Sequence, residues 1–289
     1  MDVSGKRRRR GADAERCARL EAKARWVWEQ TLLVHRRAPE TRVASSLSAV
    51  ELFTALFYAP VLAFDPANPR WPGRDRLIVS KGHGSVCLYP ILADCGFFPP
   101  AELDRVGQGG SFLGGIPDPV IPGYETVNGS LGHGPGVACG MAYALRDTAP
   151  DRTVFVVTGD AELQEGAVWE AVMFAGHHGL DNLVLVVDNN QTGMLGHTRD
   201  ILRSEPLEAR FAAFGWDTAR MDGHDVAALA GELERLKETR AGKPKLLVAD
   251  TVKGRGVPNL ENHPLSHILT VKPEVIDQLV PHRPPEAAP

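Results

Sequence analysis

Apolar positions along the chain fall into two recurring patterns, one helical and one extended. Residues 13–37 are rich in Ala, Leu, Glu and Arg, which favours a helix. In 47–58, Leu47, Val50, Phe53, Leu56 and Phe57 recur at helical spacing and predict a second helix. A proline-rich connection follows over 60–72, and then short β-branched runs alternate with helical stretches. Strands are expected at 77–80, 153–158, 183–188, 217–221 and 246–251. Helices are expected between them at 85–95, 135–146, 163–177, 205–214 and 226–237. The runs Thr153-Val-Phe-Val-Val-Thr158 and Leu183-Val-Leu-Val-Val-Asp188 are apolar on both faces, as central parallel strands covered by helices on both sides must be. The expected fold class is therefore α/β, three layers with a mostly parallel central sheet.

The stretch 107–133, rich in glycine and proline, breaks this alternation. It predicts a long loop inside a compact domain, and such loops are usually functional or disordered. Composition changes the picture little. The chain has 289 residues, 43% hydrophobic and 24% charged, with a formal net charge of -4. That is an ordinary globular composition, able to bury a core without metal or disulfide staples, and it gives no global basic field for nucleic acid. Cys17, Cys87, Cys95 and Cys139 are scattered with no CxxC pair, so reduced thiols and a cytoplasmic location are expected. No apolar run is long enough for a membrane span. The basic run Lys6-Arg7-Arg8-Arg9-Arg10 lacks a following apolar region, so it is no secretory signal. Residues 1–12 are expected to be a disordered basic arm, 13–272 one domain, and 273–289 a Pro-rich tail.

Open α/β sheets bind ligands beyond the carboxyl ends of their strands. Two places stand out there: Gly159-Asp160-Ala161-Glu162-Leu163-Gln164-Glu165-Gly166 and Asp188-Asn189-Asn190. A carboxylate at a strand end favours a hard cation, and the helix start directly after it favours an anion such as phosphate. A diphosphate bridged to Mg²⁺ suits both, with Asn190 supplying a further oxygen. Asn190 follows Asp160 by 30 residues, the length of one strand–helix–strand crossover, so the two side chains are expected side by side. Taken singly, Asp160 reads equally well as a helix cap and Asn189-Asn190 as a turn.

A Gly-Asp element followed about 30 residues later by Asn-Asn resembles the diphosphate-binding motif of thiamine diphosphate enzymes. Over about residues 20–270 the chain is similar to the N-terminal, diphosphate-binding domain of the transketolase family. Further segments resemble that family in order. They are Ser46-Leu47-Ser48-Ala49-Val50-Glu51-Leu52, Asp75-Arg76-Leu77-Ile78-Val79-Ser80-Lys81-Gly82-His83, Gly129-Ser130-Leu131-Gly132-His133-Gly134, and Lys253-Gly254-Arg255-Gly256 with His267. The resemblance implies thiamine diphosphate as cofactor, with Mg²⁺ or Ca²⁺ held by Asp160, Asn190 and the carbonyl of Thr192. It implies that Ala161 N–H, His83 and His267 meet the diphosphate, beside Gly159 and Glu162. It further implies that the Gly129 carbonyl holds the aminopyrimidine, that Leu131 and Met194 pack on the cofactor rings, and that Glu165 joins a carboxylate network at an interface between subunits. His83, His267, Glu165 and His133 are the implied catalytic candidates.

Departures from the family pattern bear on substrate. Arg42 stands where a substrate-facing histidine is expected, and Ile116 replaces a histidine in Gly115-Ile116-Pro117-Asp118. His133 replaces the usual glutamine. Arg42 suits a carboxylate or phosphate held bidentately, which suggests a specialised two-carbon transfer rather than pentose phosphate metabolism. The family's pyrimidine-binding and C-terminal domains are not found in this chain. The resemblance therefore implies a second transketolase-like subunit that carries them, in an α₂β₂ assembly, with no nucleic acid or membrane partner. Two other readings stand beside this one: an acyloin-forming or decarboxylating subunit with a 2-oxo acid donor, and a non-catalytic scaffold.

Overall fold

In the computed structural model, residues 3–281 are described, apart from Asn128. The first helix, α1 (Val3–Arg37), starts ten residues earlier than expected and takes in the basic run. Lys, Arg, Ala and Glu are all good helix formers and no proline intervenes, so the helix propagates toward the N-terminus where a disordered arm was expected. Met1 and Asp2 lie outside the described residues. The next expected helix is broken in two, α2 (Val43–Leu47) and α3 (Val50–Tyr58), by a turn at Ser48-Ala49. Strand β1 (Arg76–Val79) and helix α4 (Leu88–Asp94) follow. The long loop then leads into α5 (His133–Thr148), β2 (Val154–Gly159), α6 (Gly166–His178) and β3 (Leu183–Asn189). The chain continues through α7 (Thr198–Ile201), α8 (Leu207–Ala213), β4 (Asp217–Asp222), α9 (Val226–Glu238) and β5 (Lys245–Asp250). Helix α10 (Pro273–Leu279) replaces the first part of the expected tail: Pro273 suits a first helical position and Ile276 is fully buried. Residues 282–289 lie outside the described residues.

All five strands are parallel, in the order β1-β2-β3-β5-β4. Alternation along each strand divides the core. Leu77, Phe155, Val157, Val184, Val186 and Leu247 face one layer, built from α1, α2, α3, α4 and α9. Ile78, Val154, Val156, Leu185 and Val248 face the other, with α5, α6 and α8. Side chains that alternate between faces and are apolar on both are what a covered parallel sheet demands. The edge strand β4 alternates half-buried with exposed residues instead.

The stretch 107–132 is irregular but anchored. Leu113 and Ile121 are buried, Tyr89 Oη donates to the Gly114 carbonyl (2.6 Å), and Tyr124 Oη donates to the Ser85 carbonyl (3.1 Å). All four cysteines are free. No helix among the described residues is long and apolar enough to cross a membrane.

Phe155 is fully buried between the sheet and the α3–α9 layer. Phe155→Ala is expected to cost about 3–5 kcal/mol in urea unfolding. A cost below about 1 kcal/mol contradicts this placement.

Candidate functional site

Parallel pairing brings the carboxyl ends of β1, β2, β3 and β5 to one edge of the sheet, and a cavity of about 410 Å³ opens there. The register sets Gly159 opposite Asp188, so Asp160 and Asn190, one and two residues further on, project from neighbouring strand ends as expected. The cavity is lined by Arg42, His83, Ile116, Gly129, Leu131, Gly159, Asp160, Ala161, Glu162, Asn190, Thr192, Met194 and His267. Residues from separate segments of the sequence thus meet in one place. Glu165 and His133 are not among them. Glu165 is exposed at the residue before α6, and His133 is exposed at the first position of α5, its Nδ1 3.2 Å from the Leu131 carbonyl.

Three carboxylates are buried around the cavity, and they differ in how the chain satisfies them. Asp188 is fully buried, which pushes its pKa up. The Lys81 ammonium ion-pairs with it, and Ser48 Oγ (2.6 Å) and Thr251 Oγ1 also donate, so that its pKa lies below the ordinary value. Lys81, 2% exposed, also donates to the Ser45 carbonyl (3.0 Å). Glu162 accepts from Ser80 Oγ and from the N–H groups of Gly132 (2.8 Å) and Gly159 (3.3 Å). Burial still raises its pKa. This carboxylate ties the 107–132 loop to the end of β2. Gly132 adopts φ 84° there, which favours glycine, and a Cβ on Gly134 would overlap Ser80 Oγ.

Asp160 is the third. It is 2% exposed, and Thr198 Oγ1 donates to it at 3.0 Å. Among the described residues no basic side chain forms an ion pair with it, and burial pushes its pKa up to about 6. A buried carboxylate satisfied only by neutral groups is costly unless a cation joins it. Asn190 Oδ1 and the Thr192 carbonyl lie on the same wall. Each already accepts one hydrogen bond, from Thr192 N–H (3.2 Å) and Lys253 Nζ (2.7 Å) respectively, and each oxygen keeps a second lone pair. An all-oxygen set of one carboxylate, one amide and one carbonyl suits a hard cation.

The remaining wall is basic. Lys253, 3% exposed, and Lys81 flank the imidazoles of His83 and His267, whose ring centroids are 4.8 Å apart. Burial pushes His83 down to about 2 and His267 down to about 4, and the neighbouring ammonium groups push the same way. Both rings are therefore neutral near pH 7. Ser45 Oγ, on the cavity wall, is buried with no hydrogen-bond partner among the described residues. Lys253, Lys81 and Ser45 were not singled out as site residues from the sequence. The available signal was a lysine shortly after a strand end and directly before a glycine, in both Ser80-Lys81-Gly82 and Lys253-Gly254.

The family model described as "Transketolase, thiamine diphosphate binding domain" matches residues 37–281. A 6-deoxy-6-sulfo-D-fructose transketolase subunit SqwG from Clostridium sp. (strain MSTE9) is 38% identical, over 81% of this chain and 84% of that protein. An apulose-4-phosphate transketolase subunit of Actinobacillus succinogenes is 36% identical, over 86% of this chain and 90% of its own length. Among solved structures, a transketolase from Campylobacter jejuni superposes with a TM-score of 0.84 at 30% identity, covering 90% of this chain. The match spans only 42% of that longer chain.

Removing Lys81 leaves Asp188 buried and unpaired. Lys81→Met is expected to destabilise by about 3–5 kcal/mol, and the double variant Lys81→Met/Asp188→Leu to regain a large part of that. Denaturant unfolding of the three proteins tests it, and equal loss in single and double variants contradicts the coupling. A second expectation concerns pH. The unfolded chain protonates its histidines near 6.5, whereas folded His83, His267 and buried His35 resist until about 2, 4 and 4. Stability should therefore fall as pH drops from 6.5 toward 4. His83→Asn/His267→Asn should flatten that slope in unfolding measured across this range.

Proposed function

The chain belongs to the transketolase family, and on that premise we propose that it is the diphosphate-binding subunit of a two-chain, thiamine diphosphate-dependent transketolase-like enzyme. The observation that carries this reading is Asp160, a buried carboxylate with no cation of its own, on a wall whose other oxygens suit Mg²⁺. Asp160, Asn190 and the Thr192 carbonyl would hold the metal. The Ala161 N–H, Lys253, His83 and His267 would receive the diphosphate, and the unpartnered Ser45 hydroxyl gains an acceptor there. The Gly129 carbonyl would take the aminopyrimidine, with Leu131 and Met194 against the rings. When bound, thiamine diphosphate supplies the carbon–carbon bond chemistry. The chain's part is to anchor the diphosphate, exclude water from one wall and present two neutral imidazoles. A neutral imidazole accepts or relays a proton and hydrogen-bonds a substrate hydroxyl.

A covering partner is supported by exposed apolar residues in the segments that contribute Met194 and His267 to the cavity. Met194, Leu195, Ile201, Leu202, Ile268 and Leu269 are exposed, Leu195 to 77%. Such a cluster of exposed apolar side chains marks a protein contact. Glu165, exposed beside the same edge, would meet that partner. The relatives named as transketolase subunits support the same assembly, and α₂β₂ is the proposed composition. Their substrates, a sulfonated and a phosphorylated sugar by name, support a specialised donor or acceptor.

Purified from its source with Mg²⁺ and thiamine diphosphate, the protein is expected to appear in native mass spectrometry with a second chain of comparable size and bound cofactor. A homo-oligomer that retains no cofactor overturns the reading. In the complex, Asp160→Ala should weaken Mg²⁺-dependent cofactor retention by more than about tenfold.

A further inference from the structure

Arg42 is the residue before α2, a helix whose five residues are all buried. Its carbonyl accepts from the N–H groups of Ser45 (3.1 Å) and Ser46 (3.3 Å), so its backbone is fixed. Its side chain is half-buried and lines the cavity. Among the residues whose side chains are described, it is the one arginine that is not exposed and whose side chain makes no hydrogen bond, ion pair or ring contact. Arg74, comparably enclosed, is doubly bonded to Glu125 (2.8 and 2.7 Å). Glu40 lines the same cavity, yet it is exposed, folds over Gly107 and makes no ion pair with Arg42. Apart from Asp160, the other buried charged groups of the cavity are committed. Lys81 is paired with Asp188, Lys253 bonds the Thr192 carbonyl, and Glu162 is filled by Ser80 and two backbone groups. Arg42 is close enough to His267 to lower its basicity.

A guanidinium has five donors in a planar fork, and leaving them unmet in a half-closed site is costly. We propose that Arg42 is a specificity-determining residue that holds an oxyanion of the substrate, a carboxylate or a phosphate, beside His267. This rests on the two-chain enzyme reading for the identity of the substrate but not for the presence of an anion. The planar fork grips two oxygens of one anion at once, which a lysine ammonium does not. Apolar Ile116, on the same wall, offers the substrate no competing hydrogen bond.

The test uses the complex of this chain with its partner, loaded with Mg²⁺ and thiamine diphosphate. Phenylglyoxal labelling is followed by mass spectrometry at Arg42, with exposed Arg70 and Arg203 as internal references. Pyruvate, xylulose 5-phosphate and neutral dihydroxyacetone are the probes. Shielding of Arg42 several-fold by an anionic probe, and not by dihydroxyacetone, is expected. The probe that shields identifies carboxylate or phosphate as the source. In parallel, Arg42→Gln should lower the ratio of kcat/KM for the anionic donor to that for the neutral one by about ten- to a hundredfold, with Arg42→Lys intermediate. Absence of shielding by both anions overturns the inference, as does an Arg42→Gln variant that impairs both donor types equally. An inactive complex in which an anion still shields Arg42 sinks the enzyme reading and leaves this one standing. Turnover with unshielded Arg42 does the reverse.

Discussion

The buried ion pair between Lys81 and Asp188 fixes the end of the sheet on which everything else is built. Lys81 follows β1, Asp188 lies near the end of β3, Thr251 follows β5, and Ser45 and Ser48 belong to the α2 corner. Two charges removed from water cost several kcal/mol each, recovered only if every remaining donor and acceptor is met. Here they are met by four separate segments. None of those segments moves without uncovering a charge, so the cavity wall is over-determined.

The Glu162 cluster does for the loop what Lys81–Asp188 does for the strands. One carboxylate gathers Ser80 from the end of β1, Gly132 from the loop and Gly159 from β2. The glycine-rich stretch, which has no ladder of its own, borrows its geometry from that carboxylate and from the two tyrosine hydroxyls. Set beside these two satisfied acids, Asp160 is different in kind. Its burial is comparable, but Thr198 is the one side chain that donates to it, whereas Glu162 holds three donors and Asp188 an ammonium. Folding energy alone gives no reason to bury such a group, and the proposed cation would supply one.

The layered architecture was legible because its signal is repeated. Doubly apolar strands such as 154–159 and 183–189 admit few other placements, and the Asp160–Asn190 spacing follows from one crossover. Element ends were less legible, because they depend on tertiary contacts. The break between α2 and α3 is set by Ser48 turning inward to Asp188, 140 residues away, and helical spacing in 47–58 carries no trace of it. Helix α10 is held by packing on α1 and by burial of Ile276 in the core, not by its own propensity. In the site, residues with a motif at a strand end were legible. Lys81, Lys253 and Ser45 were hidden, since a lysine or serine in a turn ordinarily faces water and only the folded chain shows these buried. Glu165 and His133 lie exposed outside the cavity, and for Glu165 exposure is compatible with the subunit contact expected of it.

The electrostatics of the cavity follow from this crowding. Two ammonium groups and a guanidinium surround a pair of largely buried imidazoles. Burial, and after it the neighbouring positive charges, hold His83 and His267 neutral. The basic wall thereby does two things at once. It presents cationic groups to a polyanion, and it keeps the imidazoles in the form that accepts protons at neutral pH. A cavity with fewer cations would bind diphosphate less well and would also leave its histidines nearer their ordinary basicity. The same buried charges thus bear on both tasks proposed for the cavity, with burial of the rings the larger influence on their basicity.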